Sequence, residues 1–264
     1  MALFNKGSNI LVTDAGKALL HILDINGVYI KSINPNYFLQ EPIAIFVRTT
    51  ENDDEEIYVS DYKAKTVFLF DSNFNYIRKI GNNLYNVQYL NIESDFLYIS
   101  QPDDDVVTVW NLVNDEFKVK LIEQPLHSFI SENEIIIVSR ADREVDFDKK
   151  RLKKLYKGNF INIINKLDLK TVHKIIFDDW FAPHTVHLTN DGNIYTLAYE
   201  LDKNGYYAEN RFLFIINPLN NYQLVKKIEL NGIGSFSDAI YLNNKIIICA
   251  ANNRDHEIQV VEFE

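Results

Sequence analysis

The chain is short of the residues that staple or punctuate other folds. It has one cysteine, Cys249, so no intrachain disulfide can form and the redox compartment is unconstrained or reducing. Its 9 Gly and 6 Pro in 264 residues exclude collagen and flexible linkers. Positive charge is also scarce. Lys plus Arg is 27 against 37 Asp plus Glu, a net charge of −10. A uniformly acidic surface repels phosphate backbones and anionic lipid, which disfavours a general nucleic-acid or membrane role. Long apolar runs are missing: Ile246 to Ala251 is far too short to span a bilayer. The opening MALFNKGSNILVTD lacks a basic region followed by a long apolar stretch, so a cytoplasmic location is expected. What the chain has instead is 15 Tyr and 17 Phe among many Ile and Asn, a composition that favours β-structure. The length allows one large domain or two small ones, with enough chain for a sizeable core.

A repeat organises the sequence. LVTDAGKALLHILDINGVYIKSI (11–33) aligns without gaps on YVSDYKAKTVFLFDSNFNYIRKI (58–80). Asp14 matches Asp61, Asp24 matches Asp71, Asn26 matches Asn73 and Tyr29 matches Tyr76, all 47 residues apart. A weaker copy at 98–122 keeps the ten-residue step, from Gln101 to Asn111. Later copies keep only the second half, around Asn165 and Asn217. Each unit reads as four short strands. The second and third are apolar on both faces, as when neighbours cover both sides. The fourth alternates, as in Tyr76, Ile77, Arg78, Lys79 and Ile80, which fits an outer strand with one wetted face. Four-stranded units every ~40–50 residues are blades of a β-propeller. The chain is therefore expected to be all-β: one six-bladed β-propeller of antiparallel blades at about 1–35, 36–82, 83–123, 124–179, 180–231 and 232–264.

The stretch EPIAIFVRTTENDDEEIYVSDYKAKTVFLFDSNFNYIRKIG (41–81) resembles the repeats of NHL-type six-bladed propellers. It carries their Pro and apolar strand, a YVSD-like strand end, V-x-x-F-D, and a strand closing on Ile-Gly. One blade matches well, one moderately and the rest loosely. The WD40 signature is missing, since Trp110 is followed by Asn111, and so are kelch di-glycines. At the ends, residues 2–5 align with 239–242. The chain then starts in an innermost strand and the last blade has three strands. In the alternative, residues 2–5 cross over as an outer strand of the last blade.

Aligning the inner strands by their apolar residues brings Pro42, Asn86, His127, His184 and Asp238 into a ring, beside Glu41 and Pro183. His127, His184, Asp238 and Asn86 form a candidate set for one divalent metal. The resemblance implies the same possibility, because propellers of this general type include metal-dependent hydrolases and an amidating lyase with an axial metal. The plainer reading is channel-lining polar groups bound to water. His187 is expected to face the same channel. His21 and His173 fall on outer strands and His256 in a terminal turn. Asp14, Asp61, Asp24 and Asp71 recur once per blade, which argues for turn closure and against acid–base chemistry. Cys249 reads as a buried core thiol. The recurring Tyr29 and Tyr76 are expected to pack blade against blade.

Two segments interrupt the repeat. Residues 140–159 hold Asp142, Glu144, Asp146 and Asp148, then Lys149, Lys150, Arg151, Lys153, Lys154 and Lys157. This is either a solvated hairpin or short helix with internal ion pairs, or a docking element for a partner. Residues 199–210 carry Asn204-Gly205, a hairpin signal, with Tyr199, Tyr206 and Tyr207 expected to be exposed. Both should project from one face on adjacent blades. Lys149, Lys150, Arg151, Lys153, Lys154, Tyr199, Tyr206 and Tyr207 are the candidate contacts for a protein or peptide partner. The expectation is a monomeric, non-enzymatic scaffold without cofactor; a metal-dependent lyase or hydrolase is the alternative.

Overall fold

In the computed structural model the described residues are 1–139, 143–146, 151–154, 159–178, 181–189, 192–201, 207–230, 235–242, 245–252 and 255–262. At 36, 143–146, 151–154, 207–209, 235–237, 242, 251–252 and 255–257 the description is of the backbone only. Blade 1 runs outward from the axis as β1 (Ala2–Phe4), β2 (Asn9–Asp14), β3 (Leu19–Asp24) and β4 (Tyr29–Ile33). Blade 2 is β5 (Pro42–Thr49), β6 (Glu55–Asp61), β7 (Thr66–Asp71) and β8 (Tyr76–Ile80). Blade 3 is β9 (Tyr89–Glu93), β10 (Phe96–Gln101), β11 (Val106–Asn111) and β12 (Phe117–Leu121). Blade 4 starts with β13 (Pro125–Ile130) and β14 (Glu134–Ser139). It then gives off a separate two-stranded hairpin, β15 (Arg143–Asp146) and β16 (Arg151–Lys154), before β17 (Phe160–Asn165) and β18 (Thr171–Ile176). Blade 5 has a broken inner strand, β19 (Phe181–Pro183) and β20 (His187–Leu188), then β21 (Ile194–Leu201), β22 (Tyr207–Asn217) and β23 (Gln223–Leu230). Blade 6 has three strands: β24 (Ser235–Leu242), β25 (Lys245–Asn252) and β26 (Asp255–Glu262). All neighbouring strands are antiparallel, and Ala2 pairs with Leu11, so β1 is an innermost strand. Among the described residues no helix is long and apolar enough to cross a membrane.

The recurring acids and amides are the joints of the blades. At the end of each third strand in blades 1 to 5, one side-chain oxygen accepts two backbone N–H groups of the turn that follows. Asp24 Oδ1 accepts from Asn26 and Val28, both at 2.8 Å. Asp71 Oδ1 accepts from Asn73 at 2.9 Å and Asn75 at 2.8 Å. Asn111, Asn165 and Asn217 do the same for Val113 and Asn114, Leu167 and Asp168, and Leu219 and Asn220. This Asx turn reverses the chain into the fourth strand. Asp14 and Asp61 close the turns after second strands, accepting from the Lys17 and Ala64 N–H groups at 2.9 Å. Asp61 also accepts from Gln40 and Glu41, tying the start of its blade to the turn.

Six apolar clusters fill the six interfaces between blades. Ile57, Val59, Phe68 and Phe70 of blade 2 meet Leu11, Leu20 and Ile22 of blade 1. On the other side Tyr58, Val67 and Leu69 meet Leu90, Leu97 and Ile99 of blade 3. This two-sided burial is why second and third strands lack alternation. Tyr29 and Tyr76 are not buried in it. Both are exposed on fourth strands, where Tyr76 stacks on Phe38 with ring centroids 4.5 Å apart and meets Phe68 and Phe70 edge-on at the rim of the cluster. His256 also departs from expectation: it lies within β26, paired with Ala251, because the β25–β26 connection is two residues shorter than its counterpart in blade 2.

Replacing Asp71 by Ala should cost about 1–2 kcal/mol in a urea titration, the cost of two unanswered turn N–H groups. Asp71→Asn should keep most of that, since Asn does the same in blades 3, 4 and 5. Equal losses for the two variants would contradict the turn assignment.

Candidate functional site

Around the axis β1 adjoins β5, β5 adjoins β9, β9 adjoins β13 and β13 adjoins β20, and a cavity of about 240 Å³ lies among the inner strands. Its wall includes Met1, Thr13, Gln88, Tyr89, His127, His184, Asp238 and Cys249. His127, on β13, is buried, with its ring stacked on Tyr89 at 3.6 Å between centroids. Its Nδ1 accepts the Val186 N–H at 3.3 Å, so the neutral ring carries its proton on Nε2. That nitrogen faces Asp238 Oδ1 at 3.5 Å. The other oxygen, Oδ2, accepts from the Met1 ammonium at 2.5 Å. Asp238 thus touches blade 1 and blade 4 from blade 6.

Burial opposes the charge on Asp238, but the Met1 ammonium and His127 outweigh it and hold the carboxyl well below its usual range. Burial lowers His127 in turn, against the pull of Asp238. His187 lies beside it, 5.0 Å from the His127 ring and 4.6 Å from Tyr241 between centroids. Burial, helped by His127, takes His187 down to about 3. The axis therefore holds neutral imidazoles around one carboxylate at neutral pH.

Three of the four sequence-derived axial candidates, His127, His184 and Asp238, share this cavity. Asn86 and Pro42 do not line it. Asn86 sits in a turn at φ 41° and accepts from the Gln88 side-chain amide. β9 begins only at Tyr89, so Gln88 and Tyr89 take the lining position in blade 3, and Ile43 to Ile45 take it in blade 2. Among the described residues no three His, Cys, Asp or Glu side chains are grouped to hold a metal ion. Cys249 is not a sealed core thiol: it is partly exposed, pairs with Asp238 across β24 and β25, and lines the cavity. Alternation along β25 turns it out of the apolar cluster that holds Ile248 and Ala250.

Of the candidate partner contacts, Lys149, Lys150 and Tyr206 lie outside the described residues. Arg151, Lys153 and Lys154 fall on β16, and Tyr207 opens β22 opposite Leu201. Tyr199 is not exposed. At 3 % accessibility it belongs to the blade 5–blade 6 core, with the Arg211 guanidinium 4.6 Å above its ring and His184 edge-on. The reason is that β21 runs on to Leu201, so Tyr199 keeps the inward parity of Tyr195 and Leu197. The sequence reading missed Tyr89, which lines the cavity and stacks on His127. Its place at the start of an inner strand was the available signal.

The fold defines a six-bladed β-propeller with a three-stranded last blade. No protein-family model matches the chain, and no curated protein matches it. It is similar in structure to U3-55K (TM-score 0.66, 10 % identity, 100 % of this chain and 80 % of that one). It is also similar to the WD40 repeats of RRP9 (TM-score 0.65, 11 % identity, 99 % and 78 %). A third likeness is to a protein of unknown function from Bacteroides caccae (TM-score 0.59, 9 % identity, 87 % and 80 %). At these identities the likeness is one of fold.

The half-buried His187 gives the protein a sign of pH dependence. Its folded pKa lies near 3 and its ordinary value at 6.5, so between those limits the unfolded chain takes up a proton that the fold refuses. Stability is full above 6.5 and falls as pH drops toward 3. His187→Leu should make the slope of unfolding free energy against pH shallower between pH 6 and 4, by up to about 1.4 kcal/mol per pH unit. Urea titrations at several pH values measure it, and an unchanged slope would contradict the assignment.

Proposed function

We propose that the chain is a non-enzymatic propeller scaffold that binds a protein or peptide partner through the face carrying residues 140–159 and 199–210. One observation carries this reading. Blade 2 passes from its second to its third strand in a short turn, with Asp61 paired to Thr66. Blade 4 makes the same passage through an inserted hairpin that forms a sheet of its own. The blade needs no such insertion to close its core. A lone two-stranded ribbon is marginally stable in water, so its retention favours a contact beyond the blade. Its register sets Glu144 opposite Lys153 and Asp146 opposite Arg151. Lys149 and Lys150 lie in the sequence between these two strands, outside the described residues. On the neighbouring blade, β21 and β22 extend toward the same face, with Leu201 paired to Tyr207.

The metal-dependent lyase or hydrolase has less support. His127 spends its Nδ1 on Val186 and turns Nε2 to Asp238, and Asn86 stands outside the cavity lining. Titration with Zn²⁺ or Mn²⁺ separates the readings: the scaffold takes up no stoichiometric metal that His127→Ala removes.

Deleting residues 141–158 behind a short linker should leave the melting midpoint within ~4 °C, because the ribbon lies outside the blade cores. The same deletion should abolish recovery of the partner that the intact chain captures. Undiminished recovery would move the binding face elsewhere.

A further inference from the structure

We propose that the outer edge of β26 accepts an extended, basic peptide from a partner protein as the fourth strand of blade 6. The site lies apart from the hairpin face and does not depend on it. Blades 1 to 5 each end their third strand in an Asx turn and continue into a fourth strand. Blade 6 lacks that signal. The residues that end its third strand, Val260, Val261 and Glu262, include no Asp or Asn. Among the described residues β26 pairs only with β25. Asn252 pairs with Asp255 across a two-residue connection, which makes theirs the closing hydrogen-bonded pair of the hairpin. By alternation, the backbone N–H and C=O groups of His256, Ile258, Val260 and Glu262 then point to the free edge. Such an edge is a template for strand addition.

A groove of about 620 Å³ lies against this edge, between blade 6 and blade 1. Val12, Leu23, Gly27, Tyr29, Cys249 and Ile258 line it, with Lys17 and His21 at its polar side. Gly27 lets blade 1 come close to β26 here: a Cβ there would stand 3.0 Å from Ile258 Cγ2. The chemistry of the occupant can be read from the strands that fill this place in the other blades. They are YIKSI, YIRKI, FKVKL, TVHKII and QLVKKIEL, each combining apolar residues with at least one Lys or Arg. Their lysines settle over aromatic rings, as Lys174 does 3.3 Å from Phe160 and Lys227 does 4.0 Å from Phe212. In the groove the exposed Tyr29 offers such a ring. Charge favours the same choice. β26 carries Asp255, Glu257 and Glu262, the last already paired with Lys245, on a protein of net charge −10.

The probe is a fluorescein-labelled peptide of sequence FNYIRKIG, the chain's own residues 74–81, titrated with the intact protein in an anisotropy assay. Saturable binding that weakens with salt is expected. In blade 2, Arg78 and Ile80 of this segment pair with Leu69 and Val67. N-methylation of those two amides should therefore weaken binding by roughly fivefold or more for each hydrogen bond lost. N-methylation of Ile77 and Lys79 should leave it within about twofold. Val260→Pro, which removes an outward N–H without touching the β25 ladder, should weaken the peptide likewise. Should that variant not fold, the N-methyl pair decides alone. No saturation, equal losses from the two N-methyl pairs, or a dimer that covers β26 with a second copy would each overturn the proposal.

Discussion

Among the described residues no strand pairing joins blade 6 to blade 1, and the rest of the ring depends on that seam holding. There β1 pairs with β2, and β26 pairs with β25. Among the described residues Ile10, Leu23, Ile240 and Ile247 are the seam's buried apolar members, with Met1, Leu3, Val12, Ile25 and Ile258 packed against them. Each buried Ile or Leu contributes about 1.5–3 kcal/mol, so this cluster is large on the scale of domain stability.

Polar contacts at the axis add to it. Asp238 leaves blade 6 and reaches both the Met1 ammonium and His127 of blade 4. A buried carboxylate is costly unless it is answered, and these two groups answer it. The same low-dielectric surroundings keep His127 and His187 neutral and so make the axis sensitive to acid. The axial cluster is thus a structural tie before it is a candidate for chemistry. The inserted hairpin of blade 4 forms a two-stranded sheet of its own.

Much of the fold was legible because its joints are local. Asp24 and Asp71 align 47 residues apart because each closes its own turn, and the bond partners lie within four residues. The alternation of β8 and its relatives was visible for the same reason: one face of a fourth strand is wet. Long-range features were less legible. The ring position slipped in blade 3, where Gln88 and Tyr89 replace Asn86, because inner-strand starts are set by contacts across the axis and not by nearby residues. Tyr199 was read as exposed because it falls in a segment that interrupts the repeat, whereas β21 continues through it to Leu201. Tyr29 and Tyr76 recur without being buried, so recurrence alone does not report burial. The groove beside β26 was signalled by an absence, the missing Asp or Asn at the end of the sixth third strand.

The central claim is that the ring closes without a fourth strand on blade 6. Amide-resolved hydrogen exchange by NMR tests it directly. The amides of His256, Ile258 and Val260 should exchange at least about a hundredfold faster than those of Val67 and Leu69, which are covered by β8 in blade 2. Ile247 and Cys249, on the strand inside β26, should stay protected. Equal protection of the β26 and β7 amides would mean that something already covers the edge, and would contradict the account.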